Sequence, residues 1–138
     1  MRVRTPIVLL LAVALAACAT SGSFRANNRM NLLKLSNGMT KPQVLEIMGV
    51  GEAKVCCPIH TVTNPHRSEA YQAGGAAWEI LFYYTDKKTE TFNTPAGSNA
   101  GVIQDDELVP LVFRDGKLDG WGWSYWNDVV QRYEIRVR

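Results

Sequence analysis

Residues 36–51 read SNGMTKPQVLEIMGVG, and this stretch specifies one helix from its start to its stop. Gly38 stands where a preceding helix would end in the left-handed conformation. Thr40 predicts an N-cap, Gln43 three residues on completes a capping box, and Pro42 falls in the first turn, where a missing amide is harmless. Val44, Leu45, Ile47 and Met48 make an apolar stripe, with Gln43 and Glu46 facing out, and Gly49 and Gly51 end the pattern. Upstream, Met30, Leu32, Leu33 and Leu35 predict another short helix, capped by Asn27 or Asn28. Two short helices joined by a tight turn form an αα-hairpin, and neither is long enough to be stable without packing on something.

The chain downstream supplies a sheet for that packing. Residues 76–85, AAWEILFYYT, are rich in aromatic and β-branched side chains and predict a strand. Trp78, Ile80, Phe82 and Tyr84 share one face, and Glu79, Leu81, Tyr83 and Thr85 the other. DKK at 86–88 turns the chain, and 89–93 read as a short returning strand. The segment 94–106 reads as a loop, and the carboxylates Asp105, Asp106 and Glu107 as a solvated run without EF-hand spacing. Residues 107–113 predict a strand in which Pro110 argues for an edge position or a bulge, and Asp115-Gly116 closes a hairpin. A last strand, 117–126, would carry Trp121, Trp123 and Tyr125 on one face. Gly120, Gly122 and Ser124 would lie on the other, where a helix can approach closely, and Asn127 would cap a final short turn. Residues 52–75 read as a long insertion holding Cys56 and Cys57. The expected fold class is α+β, with the αα-hairpin packed on a three- to four-stranded antiparallel sheet.

The amino terminus carries a different kind of signal. Arg2 and Arg4 precede an uncharged apolar run from Pro6 to Ala17, too short to span a bilayer, which takes about 20 residues. A basic start, a short apolar middle and a small-residue end describe a secretory signal peptide. Removing residues 1–17 would take away both arginines, leaving 13 Lys and Arg against 13 Asp and Glu. A neutral chain of this size suits one domain and gives no support to nucleic-acid binding.

The sequence Leu15-Ala16-Ala17-Cys18 resembles the lipobox of bacterial lipoproteins, in which the cysteine thiol receives diacylglycerol before cleavage. Two or three acyl chains suffice for stable anchoring. Residue 19 is Ala, not the aspartate of an inner-membrane retention signal, so the expected location is the outer membrane, facing the periplasm. The organisation then reads as a signal peptide at 1–17, a lipidated Cys18 with a flexible tether to residue 28, and a folded domain at 29–138.

With that box in front, the order of two short helices and then an antiparallel sheet resembles the BamE (SmpA/OmlA-like) family of small outer-membrane lipoproteins. The residues carrying the resemblance are Gly38-Met39-Thr40, Val44 and Gly49 in the hairpin, Trp78 to Tyr84 in the first strand, and Phe113, Asp115, Gly116 and Lys117 in the last turn. Domains of the β-lactamase-inhibitor type share this plan. The resemblance implies a two-layer sandwich and an accessory role in assembling outer-membrane proteins or maintaining the envelope.

Reactive chemistry is confined to one cluster. Cys56 and Cys57, with His60 and His66, have the side-chain types of a soft-metal site. Adjacent cysteines, however, aim two sulfurs poorly at one tetrahedral ion, and no second Cys-x-x-Cys supports them. In an oxidising compartment the two thiols could form a vicinal disulfide, stay free or cross-link to a partner. Adjacent α-carbons lie about 3.8 Å apart, short of the roughly 5.5–6 Å of an unstrained bridge. A Cys–His nucleophile pair would need an oxyanion hole that the sequence does not show. Trp78 reads as core. Tyr83, Trp121, Trp123 and Trp126 read as candidates for partner contact, and Trp126 also for the membrane interface. The expectation is a non-enzymatic lipoprotein with no cofactor beyond its covalent lipid, binding other envelope proteins. The alternatives are a small-ligand or lipid binder, or an inhibitor of a periplasmic enzyme.

Overall fold

The computed structural model describes residues 24–55, 60–86 and 103–137. In chain order its elements are α1 (24–32), α2 (Lys41–Met48), β1 (Gly51–Val55), β2 (His60–Asn64), β3 (Arg67–Ala73) and β4 (Ala76–Tyr84). They continue with a single 3-10 turn (Asp105–Glu107), β5 (Leu108–Arg114), β6 (Lys117–Trp121) and α3 (Trp123–Arg132). The class is α+β, with one antiparallel sheet in the order β3-β4-β5-β6 and a separate two-stranded sheet, β1-β2. The candidate returning strand at 89–93 lies outside the described residues.

Strand β4 alternates as its sequence requires, and both of its faces are buried. Trp78, Ile80, Phe82 and Tyr84 join Leu108, Val112, Val62 of β2, Trp126 and Val129 of α3, and Ile135 in one core. Leu81 and Tyr83 join Leu111, Phe113, Leu118, Leu35, Val44 and Met48 in a second core beneath α2. The helical layer on the sheet is as expected, and the opposite face carries α3 as well.

The capping box at the head of α2 is present, with the Thr40 amide donating to Gln43 Oε1 at 2.9 Å. The connector between α1 and α2 is not the tight turn expected. Gly38 donates to the Leu118 carbonyl at 2.7 Å, Leu118 donates to the Met39 carbonyl at 2.8 Å, and Thr40 bridges Lys117. Residues 38–40 therefore lie along the start of β6 and cover that part of its outer edge, which otherwise would offer unpaired amides and carbonyls. A salt bridge from Lys41 Nζ to Glu79 Oε1, 2.6 Å long, ties the start of α2 to β4.

Four expectations are corrected. Residues 24–28, inside the stretch read as tether, are helical and part of α1, because Phe24 packs on the core and Asn28 is buried. Segment 52–75, for which no strands were expected, carries most of β1 and all of β2 and β3 among its described residues. Pro110 lies in an inner strand, opposite Phe82. It is tolerated because β6 pairs only as far as Trp121, so Pro110 stands at the end of that ladder, where its carbonyl still accepts from Gly122 at 2.8 Å. The last strand stops at Trp121, and Trp123 to Trp126 belong to α3, which is capped by Gly122 and not by Asn127.

Candidate functional site

Strand β3 forms one margin of the sheet, and among the described residues no strand pairs with its outer edge. Its local geometry follows from the Gly74–Gly75 turn, where both residues have positive φ. A two-residue turn of this kind makes Ala73 and Ala76 the closing hydrogen-bonded pair. Alternation along an antiparallel ladder then directs the amides and carbonyls of Ser68, Ala70 and Gln72 away from β4. The side chains of these three residues are also exposed, on the α2 side of the sheet, whereas Arg67, Glu69, Tyr71 and Ala73 are partly covered on the other. A shallow groove borders this row, lined by Ala70, Gln72, Ala77, Trp78, Glu79 and Gly116.

The inner side of β3 is rigidly supported. Arg67 lies over the Phe82 ring at 3.9 Å and forms ion pairs with Glu69 at 3.0 Å and Asp105 at 2.6 Å. Tyr71 packs on Trp126, with ring centroids 5.8 Å apart, and its hydroxyl donates to Glu69 Oε2 at 2.6 Å. Asp105 is thus engaged in a pair. Glu107 is buried and accepts the Gln104 amide at 3.0 Å, so the carboxylate run is not simply solvated.

The sequence-predicted site residues are scattered, not gathered. Cys18, Cys56 and Cys57 lie outside the described residues. His60 opens β2, paired with Val55, and His66 lies beyond the other end of that strand. Burial, together with the neighbouring Arg67, lowers the His66 pKa below its ordinary value. Among the described residues no group of three or more His, Cys, Asp and Glu could hold a metal ion. Tyr83 is fully buried, its hydroxyl donates to the Gly49 carbonyl at 3.3 Å, and burial pushes its pKa up to about 12. It presents nothing to a partner. Trp126 is likewise buried, under Tyr71, and is unavailable to a partner or a membrane.

Trp121 and Trp123 do not share a face. Trp121 is half-buried against the α2 side. Trp123 packs on Phe82 from the opposite side, with ring centroids 5.8 Å apart, and donates its indole N–H to the Leu108 carbonyl at 2.7 Å. Both rings serve mainly to close the cores. The row on β3 was missed, although RSEAYQA at 67–73 alternates and two glycines follow it, a hairpin signal.

A second shallow groove runs between α1 and the end of α2, lined by Asn27, Asn31, Met48, Val50, Glu52 and Asn64. Its floor is a reciprocal amide pair. Asn28 donates to Asn64 Oδ1 at 2.9 Å and to the Tyr84 carbonyl at 2.6 Å, and Asn64 donates back to Asn28 Oδ1 at 2.7 Å.

A family model described as "Protein of unknown function (DUF3192)" matches residues 22–128. The chain belongs to the DUF3192 family. Among the described residues of this DUF3192 chain the match takes in α1, α2, strands β1 to β6 and the first part of α3. No curated protein and no solved structure matches it. Among its described residues no helix is long and apolar enough to cross a membrane.

Proposed function

We propose that this DUF3192 chain is a non-enzymatic lipoprotein of the outer membrane, held on the periplasmic face through Cys18, whose folded module binds other envelope proteins. In this reading it resembles the BamE family in role as well as in plan, as an accessory to outer-membrane protein assembly or envelope maintenance. The observation that carries the protein-binding part is the outer edge of β3. Ser68, Ala70 and Gln72 turn both side chains and amides outward, and a partner's extended segment can add to such an edge as another strand. The covering of part of the opposite edge by residues 38–40 supports it further, since sheet edges are ordinarily blunted and the β3 edge is not paired among the described residues. The lipobox at residues 15–18 supports the anchor.

The test places a photo-crosslinking residue at Gln72 in cells and compares it with the same chain carrying Ala70→Pro. Because the Ala70 amide faces outward, proline there leaves the β3–β4 ladder intact and blocks only strand addition. A discrete envelope protein crosslinked by the first chain and lost in the second is expected. Crosslinks that survive Ala70→Pro unchanged would refute edge pairing.

A further inference from the structure

Helix α1 carries apolar side chains on the wrong side. Its inner row is satisfied: Phe24 and Leu32 pack on the cores, Asn28 is buried, and Leu35 follows beneath α2. Yet Met30 is 61% exposed, and Leu33, in the turn that ends the helix, is 86% exposed. At about 100° per residue, positions 30 and 33 fall on one outward face. Arg29 and Lys34, both exposed, flank that face on either side. Val50, 72% exposed, stands across the adjoining groove from Asn27 and Asn31.

Along the sequence the charge of this segment has one sign, although Glu52 borders the groove and Asp86 and Glu107 act on Tyr84 near Arg25. No Asp or Glu occurs between Met1 and Leu45, whereas Arg25 and Arg29 lie in α1, Lys34 just after it and Lys41 at the start of α2. Lys41 is occupied by Glu79, and Glu52 is the carboxylate across the groove. Exposed apolar side chains between cations are the signature of a helix lying in a membrane interface, its apolar residues among the acyl chains and its cations at anionic headgroups.

Position favours the same occupant. Cys18 precedes residue 24 by six residues, a span of at most about 20 Å when extended. We propose that α1 rests on the bilayer that holds the anchor, with Met30 and Leu33 inserted at an anionic surface. The module would then be fixed in orientation, not merely tethered. Asn28 and the bonds from Arg25 to the Tyr84 hydroxyl and from Arg29 to the Thr85 carbonyl lock α1 to the sheet, so docking the helix orients the whole fold. This inference rests on the lipid anchor proposed above.

The test uses the full-length lipidated chain with Cys56→Ser and Cys57→Ser, reconstituted in vesicles containing phosphatidylserine and lipids brominated along the acyl chain. An environment-sensitive fluorophore is attached at Leu33→Cys, or at Gln72→Cys as a distant exposed reference. Bromine quenching at position 33 should exceed that at position 72 several-fold. It should fall to the position-72 level when Met30→Glu and Lys34→Glu are added, and should weaken in vesicles lacking phosphatidylserine. Both added substitutions are at exposed sites, so the fold is kept.

If the chain floats with the vesicles but position 33 is quenched no more than position 72, the inference fails and the anchor stands. Quenching at position 33 unmoved by the two glutamates would show proximity without insertion and also overturns it. A chain that does not float overturns the anchor and this inference together. Position 33 shielded only when an envelope protein is added would assign the face to a protein partner instead.

Discussion

Among the described residues every buried side-chain nitrogen and oxygen has a hydrogen-bond partner, and His66, at the joint of two strands, is a side chain that pH can reach. It lies between β2 and β3, and its amide donates to the Phe82 carbonyl at 2.7 Å. Burial is the main cause lowering its pKa from 6.5, Arg67 adds to the effect, and Asp105 opposes it. The folded chain therefore binds a proton at His66 less readily than the unfolded chain. The resulting stability is fully present above about pH 6.5 and is lost as pH falls from there through the lower folded value. Thermal melts of the wild type and His66→Gln across pH 5 to 8 should diverge, with the wild type losing more stability on acidification. Parallel curves would mean that His66 titrates alike in both states. The sequence offered His66 as a weak metal candidate beside Cys57 and His60. Its actual surroundings come from Arg67 next door and Asp105 far along the chain, a pairing that no local pattern announces.

At the scale of the element, α3 shows why a residue pattern can be read two ways. Trp121, Trp123 and Tyr125 alternate as a strand would, yet Trp126, Val129, Val130 and Tyr133 recur at helical spacing, and these are what pack on the sheet. Gly122, with φ 92°, decides between the readings by turning the chain out of β6. The expected close approach at Gly120 does occur, made by Tyr125 of α3. A Cβ built on Gly120 would lie 2.6 Å from the Tyr125 ring. The Tyr125 hydroxyl donates to Asp119 Oδ2 at 2.6 Å, and burial together with that bond pushes its pKa up to about 12. Gly120→Ala should therefore displace the ring and cost about 1–3 kcal/mol. The loss should be clearly smaller in a Tyr125→Leu background, where the clash is relieved. Equal losses in both backgrounds, measured by denaturant unfolding, would show that Tyr125 does not cover Gly120. The capped helix at 41–48 and the strand at 76–84 were legible because each carries its own start, stop and period. Strands β1 and β2 were not, since their pairing with each other and the packing of Val62 under β4 depend on residues far apart.

For the whole molecule, the two cores share the strands that separate them. Ile80 and Leu81, adjacent in β4, point into opposite cores, and so do Leu111 and Val112 in β5. Neither core can be lost while the other keeps a regular sheet, so unfolding should be one cooperative step, as small domains usually show. The tryptophans allow a direct check. In a Trp121→Phe background, which removes the ring beside Leu111, the remaining Trp78, Trp123 and Trp126 report the α3 side, whereas far-UV circular dichroism reports all elements. Leu111→Ala, on the α2 side, should cost about 2–5 kcal/mol, because a buried leucine removed from a packed core leaves a cavity. If the sheet couples the cores, the midpoint seen by tryptophan fluorescence, remote from the substitution, will fall as far as the midpoint seen by circular dichroism. If the α2 layer instead detaches by itself, dichroism will change at a lower denaturant concentration while fluorescence keeps its Trp121→Phe midpoint. The same coupling bears on the two proposals, because α1 is bonded to the end of β4 at Tyr84 and Thr85, and β4 pairs along most of its length with β3. If α1 rests on a membrane as proposed, only a cooperative sheet would hold the β3 edge at a fixed height and angle above it.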